Sequence, residues 1–384
     1  MAAVAFMGDA PFSRVLIHGI VRDEKGRKMS KTLGNSPDPI ALMDRVGADA
    51  LRFSIVYTTP AGQDVSWSEK SLDMGRHLAN KIWNAARLVL SNLDGFDAAL
   101  AKKTPPALAD VWIESRLAAT IAEVRTAIRR YRFSDAASSV YQFLWHEFCD
   151  WYLEIAKLSL YRAESPARRA RTQATLVRVL EATLRLLHPF MPFITEELWQ
   201  RLPHTGESIM IAPYPRVARK QRNADAERQM TAVMDLVTAV RNIRGEMRIA
   251  PGVTLGATLR PSREGGELFT ANGALIDTLA RARFTVDPRA TRPRNSAMAV
   301  IDGSELYVDL AGVVDLAAER QRLEKEIKRA AESVEFLKGK LARPEFAERA
   351  PAEIVARERE RLIEQEALRA KLLASLAWVD DGSR

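Results

Sequence analysis

The chain is expected to be mainly α-helical: a short α/β opening, a long helical bundle, a small α/β unit and an antiparallel coiled coil. Three observations predict this. Between residues 71 and 202 apolar residues recur with the helical period, at Leu78, Ile82, Ala85 and Val89, and again at Val140, Leu144, Phe148, Trp151 and Ile155. Residues 297–310 read as two strands around Asp302-Gly303, a dipeptide that supplies the tight type I′ hairpin turn. From Leu316 the apolar spacing becomes heptad, through Leu323, Ala330 and Leu337, with Ile327, Val334 and Leu341 offset.

In chain order, residues 1–60 carry a strand over 15–21, a lysine-rich loop and two short helices separated by Gly47. Asp38-Pro39 reads as a helix cap followed by proline at the first helical position. Residues 61–69 form an extended connector. The bundle, within a domain over 61–222, breaks at Thr104-Pro105-Pro106, at Ser134 acting as a cap, at Ser165-Pro166 and at His188-Pro189, which gives four or five long helices. A unit over 223–312 opens with a helix over 227–247, stops before Pro251-Gly252, and continues with strands over 253–259 and 284–287 and the hairpin. Arg241, Arg244 and Arg248 are spaced to share one helix face, either solvated or laid against an RNA backbone. The tail, 313–384, is two helices. Arg343-Pro344 and Ala350-Pro351 bound the turn between them, and Leu362, Leu372 and Leu376 mark the second. Its first arm carries Arg320, Arg322, Lys325, Lys328, Arg329, Lys338 and Lys340, more than its acids.

Composition narrows the class. Apolar residues make up 47% of the chain, ample for cores, yet no run approaches the roughly 18–20 residues of a membrane span. The apolar start is short and lacks a basic flank, so no signal peptide is expected. The single cysteine, Cys149, excludes an internal disulfide and a cysteine zinc cluster, and fits a reducing cytoplasm. A net charge of +8 favours an acidic partner, nucleic acid first. Six of the seven tryptophans precede residue 200, and most are expected in the core.

The most informative segment is Lys28-Met29-Ser30-Lys31-Thr32-Leu33-Gly34-Asn35. Two lysines stand three apart between Gly26 and Gly34, with hydroxyls at Ser30 and Thr32. A loop of this kind can hold a polyphosphate, because positioned cations stabilise charge that shifts as phosphate reacts.

This segment resembles the KMSKS signature of class I aminoacyl-tRNA synthetases, with Thr32 in place of the last serine. Residues 17–23 before it and 47–53 after it are similar to the valine members. So are Ala79-Asn80-Lys81-Ile82-Trp83-Asn84-Ala85, His188-Pro189-Phe190-Met191-Pro192-Phe193, Thr195-Glu196-Glu197-Leu198-Trp199 and Leu323-Glu324-Lys325-Glu326-Ile327. Gly62-Gln63-Asp64-Val65 and the tail favour valine over isoleucine or leucine. The resemblance implies the end of a Rossmann-type catalytic fold over 1–60, a helical anticodon-binding domain over 61–222, the small α/β unit, and a tRNA-binding coiled coil over 313–384. It implies that Lys31, with Lys28, holds the phosphates of Mg-ATP as pyrophosphate leaves, while Ser30 and Thr32 bond within the closed loop. No resident metal is implied. Arg241, Arg244, Arg248, Arg322, Lys325 and Arg329 become candidate tRNA contacts. The expected partners are valine tRNA, ATP and valine, the expected location is cytoplasmic, and a monomer is expected.

The HIGH signature that completes the ATP site in such enzymes has no counterpart. None of His18, His77, His146, His188 and His204 stands in a His-x-Gly-His context, and no editing domain is recognisable. The resemblance therefore implies the C-terminal part of a larger valine ligase, truncated or split and inactive alone. The alternatives are a stand-alone tRNA-binding protein without catalysis, isoleucine or leucine specificity, or a structural coiled-coil protein. The last would leave the lysine loop idle.

Overall fold

The computed structural model of the protein describes residues 1–217, 222–262, 266–313, 316–343 and 352–382. It divides into two compact units, Met1–Met230 and Thr231–Arg384. Among the described residues no helix is long and apolar enough to cross a membrane.

The first unit opens with a short helix, α1 (Ala2–Met7), followed by extended chain. The strand expected over 15–21 is reduced to β1 (Val21–Arg22), which pairs in parallel with β2 (Val65–Ser66). A strand exists only where a neighbour takes its backbone groups, and β2 reaches no further. Val15, Leu16 and Ile17 belong to no strand and are exposed. Gly19 is obligatory beside this pair, because a Cβ there would fall 1.7 Å from the Gln63 carbonyl oxygen. Helix α2 (Pro39–Val46) starts as expected, with the Asp38 carboxylate accepting from the Ile40 N–H at 3.0 Å. Gly47, at φ 90°, separates it from α3 (Ala48–Thr58).

Four long helical rods form the bundle. The first is α4 (Glu69–Ser91); after the short α5 (Ala98–Ala101) comes the second, α6 (Leu108–Arg129). The third runs unbroken through α7 (Phe133–Gln142), a π-helical stretch (Phe143–Tyr152) and α8 (Leu153–Tyr161). The fourth is α9 (Pro166–Leu187), followed by the short α10 (Pro192–Trp199). Ser165 caps α9 by accepting from the Arg168 N–H, with proline at the first turn, as the sequence predicts.

Two details depart from the sequence reading. Ser134 lies inside α7 and does not cap it. The break is a Schellman turn closing α6, with Tyr131 left-handed at φ 57°, Arg132 N–H on the Ala127 carbonyl and Tyr131 N–H on that of Ile128. Glycine is the usual residue there, so its absence hid the stop. The π-helical stretch shifts the buried phase: Phe143 and Leu144 align with Phe148 and Cys149, five residues on, and Trp151 is only half-buried.

Close packing of α3 on α4 depends on Gly75, where a Cβ would lie 2.3 Å from the Ala50 carbonyl oxygen and 2.7 Å from the Ser54 hydroxyl. Helix propensity favours alanine over glycine by about 1 kcal/mol. The clash reverses that preference, since overpacking costs about 1–3 kcal/mol or more. Gly75→Ala is therefore expected to lower the denaturant midpoint of the first unit. A raised midpoint would show that the helices separate freely.

Helix α11 (Ala224–Glu246) spans the division between the units. The second unit holds a four-stranded sheet, β3 (Leu255–Arg260), β4 (Ala282–Val286), β5 (Ser296–Ile301) and β6 (Ser304–Asp309), in the order β4-β3-β6-β5. Strand β3 is parallel to β4 and antiparallel to β6, and the crossover between β3 and β4 carries α12 (Gly266–Ala271) and α13 (Gly273–Ala280). The predicted hairpin is present, with Asp302 at φ 47° and Gly303 at φ 74°, the signs a type I′ turn needs.

The tail forms α14 (Leu316–Leu341) and α15 (Ala352–Gly382), packed along their length. Leu323, Ala330, Val334 and Leu337 are buried, as the heptads require. Lys338–Glu366 and Lys340–Glu358 ion pairs join the last turns of α14 to the earlier half of α15, an antiparallel arrangement. The expected turn residues Pro344 and Ala350-Pro351 lie outside the described residues.

Candidate functional site

The lysine loop is built on one carboxylate. Arg22 and Lys28 bridge across a tight turn, and Asp23 sits buried beneath it. Its Oδ1 accepts the Lys25 and Arg27 backbone N–H groups at 3.0 and 2.8 Å; its Oδ2 accepts from Arg27 Nε and Asn35 Nδ2, both at 2.9 Å. Asn35 then reaches back into the loop. Its Oδ1 accepts the Ser30 N–H at 2.9 Å, and its amide nitrogen donates to the Lys28 carbonyl at 3.2 Å. The Ser30 hydroxyl accepts from the Leu33 N–H at 3.2 Å, whereas Thr32 has no hydroxyl partner among the described residues. The segment from Lys28 to Asn35 is thus tied at both ends to Asp23.

The ammonium groups of Lys28 and Lys31 are exposed, and neither meets an acid among the described residues. Two uncompensated cations on a pinned loop suit an incoming polyanion. The amide of Asn35, then Arg27, holds the Asp23 carboxyl well below the usual carboxylate range. The Ile20 N–H, then Arg22, lowers Asp64 nearby, and Asp64 takes the Arg22 guanidinium at 2.7 Å. Carboxylates with depressed folded-state values stabilise above their unfolded value, about 3.9, and lose that contribution as pH falls through the folded value. Amide protection at Arg27 and Ser30 is accordingly expected to be constant from neutral pH to about 4.5 and to fail only in stronger acid. Asn35→Ala should remove protection at Ser30 throughout, as read by hydrogen exchange.

A second surface lies on α4. Asn80, Trp83, Asn84 and Arg87 form one exposed helical face, with Trp83 42% exposed and the Arg201 guanidinium 5.9 Å from its ring centre. Nearby in the same unit, Lys81 sits 4.8 Å above Trp145 and pairs with Asp150 at 2.7 Å, while exposed His146 lies 3.4 Å from the same carboxylate. Aromatic faces beside amides and cations can stack unpaired bases and bond their edges. The tryptophan count alone could not separate these from the buried Trp112 and Trp199. The signal was the polar run around Trp83, which leaves that tryptophan among Asn80, Asn84 and Arg87 on the exposed face of α4.

The three arginines expected on one basic face of α11 do not share a role. Arg244 is buried at 8% exposure and donates to the Arg281 and Ala250 carbonyls, at 3.3 and 3.0 Å. Arg241 Nε donates to the Leu279 carbonyl at 3.0 Å. Arg248 lies past the helix end at φ 50° and pairs with Glu326 at 3.3 Å. The helical spacing holds for Arg241 and Arg244 only, and their side of the helix turns toward the sheet layer, where free carbonyls at strand and helix ends take both guanidiniums. On α14, Arg322 pairs with Glu326 at 2.6 Å, while Lys325, Lys328 and Arg329 are exposed with no ion pair among the described residues. Among the described residues no three His, Cys, Asp or Glu side chains are grouped to hold a metal ion.

Sequence comparison gives these surfaces a setting. Residues 1–68 match the family described as tRNA synthetases class I (I, L, M and V). Residues 110–259 match the anticodon-binding domain of tRNA ligase, and 315–379 the valyl tRNA synthetase tRNA binding arm. The valine–tRNA ligase of Geobacter sulfurreducens is 43% identical over 382 residues, covering 98% of this chain and 43% of that protein. That of Carboxydothermus hydrogenoformans is 42% identical over 358 residues, covering 93% and 40%. The chain thus spans about two-fifths of the length of these relatives. The methionyl-tRNA synthetase of Mycobacterium tuberculosis superposes loosely, with TM-score 0.43 and 24% identity over 56% of this chain and 46% of that one, and adds nothing to the sequence matches. The three matched segments, in this order along one chain, make it a member of the valine–tRNA ligase family within the class I synthetases, corresponding to the C-terminal portion of those enzymes.

Proposed function

We propose that this segment serves valine–tRNA ligation by supplying the lysine loop to the ATP phosphates and by gripping valine tRNA. The observation that carries the reading is the Asp23–Asn35 tie, which presents Lys28 and Lys31 without a neutralising acid among the described residues. Lys31 and Lys28 stabilise charge on the phosphates as pyrophosphate departs, with Mg-ATP and valine as substrates. Ser30 keeps the loop closed through the Leu33 N–H. The exposed face of α4 and the Trp145–His146 surface read unstacked anticodon bases, while Lys325, Lys328 and Arg329 meet the tRNA backbone. A cytoplasmic setting goes with these partners.

The segment alone lacks a His-x-Gly-His element, so the 384-residue chain is expected to show no valine-dependent ATP–pyrophosphate exchange. Exchange clearly above a matched Lys31→Ala preparation would contradict that. Trp83→Ala is expected to weaken valine tRNA binding by about 1–3 kcal/mol, the worth of one stacked base, and to reduce the preference for valine tRNA. Equal loss for every tRNA would remove Trp83 from base reading.

A further inference from the structure

We propose that a cleft between the C-terminal half of α6 and the extended chain at residues 213–217 is a second RNA-backbone site, separate from the tail. This rests on the tRNA reading above and adds a contact to it. The cleft, about 480 Å³, is lined by Arg125, Arg129 and Arg216 with Ala122, Thr126 and Val217, and among the described residues no acidic side chain lines it. Three guanidiniums around one opening repel one another unless an anion joins them. Arg125 is fixed in place, donating from Nη1 to the Pro215 carbonyl at 3.1 Å, which leaves its remaining N–H groups for the cleft. Arg129 and Arg216 are exposed and have no partner among the described residues.

The neighbouring cleft shares Arg216 and continues the same track. It is about 640 Å³, with Arg178 and Arg185 on its walls. The one acid among its described lining residues, Glu114, is already paired with Arg178 at 3.0 Å. Arg185 is likewise engaged, by the Pro213 carbonyl and Glu181, both at 2.7 Å. The unsatisfied positive charge is therefore concentrated at Arg125, Arg129 and Arg216. A helix C-terminus attracts cations, which accounts for Arg129 alone. It does not account for Arg216, which comes from a different segment. Several fork-shaped donors from two segments around an open trough suit a run of phosphodiesters rather than a single enclosed anion.

The test is the double variant Arg129→Gln/Arg216→Gln in the 384-residue chain, with tRNA binding measured between 50 and 200 mM salt. Each lost phosphate contact lowers the log–log salt slope by about 0.7–0.9, so the double variant should flatten it by about 1.5 and weaken binding at low salt on the order of tenfold or more. Melting should be unchanged, because neither side chain has a partner among the described residues. Lys102→Gln/Lys103→Gln, which removes the same charge from another exposed stretch of the unit, should leave the slope intact. Equal effects from both double variants would overturn the proposal, since net charge alone would then explain them. So would an unchanged slope in the arginine variant while the wild type binds tRNA with steep salt dependence. Calorimetric titration with inorganic pyrophosphate covers the other anion source: tight binding lost in the arginine variant, with the RNA slope unaltered, would make this a small-anion pocket and overturn the proposal. If the wild type binds no tRNA at all, the tRNA reading itself fails.

Discussion

Lys31→Ala, made after this segment is joined to the N-terminal part of a valine–tRNA ligase to restore a full-length enzyme, is expected to slow valine activation by about 10²–10³-fold while leaving valine binding nearly unchanged. Losing one preorganised charge at a developing anion costs about 3 kcal/mol. Lys31 is poised for that loss because its exposed side chain makes no hydrogen bond or ion pair among the described residues, so its removal is expected to cost little fold stability. The loop itself stays tied through Asp23, Asn35 and Ser30. Single-turnover activation separates the two effects: a rate drop with unaltered valine affinity is expected. An unchanged rate would remove Lys31 from the chemistry.

Replacing Lys325, Lys328 and Arg329 together by glutamine is the second large effect. All three are exposed on α14 with no ion pair among the described residues, so the packed pair of helices should survive. Three lost phosphate contacts lower the salt slope by about 2–3 and weaken tRNA binding at low salt by tenfold or more. The loss should be similar for valine and non-valine tRNAs, because phosphates carry no sequence. A change in preference without a change in slope would assign base reading to the tail and reverse the proposed roles.

Much of this architecture was legible because local chemistry and packing agree. Asp38-Pro39, Ser165-Pro166 and Asp302-Gly303 fix their caps and turn through short-range geometry, and the heptads of α14 bury Leu323, Ala330, Val334 and Leu337 while leaving Ile327 and Leu341 half-buried. The misses have tertiary causes. Residues 15–20 have strand-forming side chains but little to pair with, and the stop at Tyr131 uses a left-handed residue without glycine. The π-helical turn at Phe143–Tyr152 changes the period itself, which a fixed 3.6-residue pattern cannot register. At the site, the lysines were visible as a motif, yet Asp23, which organises them, was not. Its role depends on Asn35 folding back across the turn. The α11 arginines failed in the opposite way: Arg241 and Arg244 have the expected spacing but face carbonyls that sequence does not locate, and the helix ends before Arg248.

The most direct test of the central claim, that this segment grips valine tRNA, is filter binding of valine and non-valine tRNAs to the 384-residue chain at two salt concentrations. Tighter binding of valine tRNA at both, with affinity for every tRNA falling steeply as salt rises, is predicted. Binding that shows neither preference nor salt dependence would contradict it.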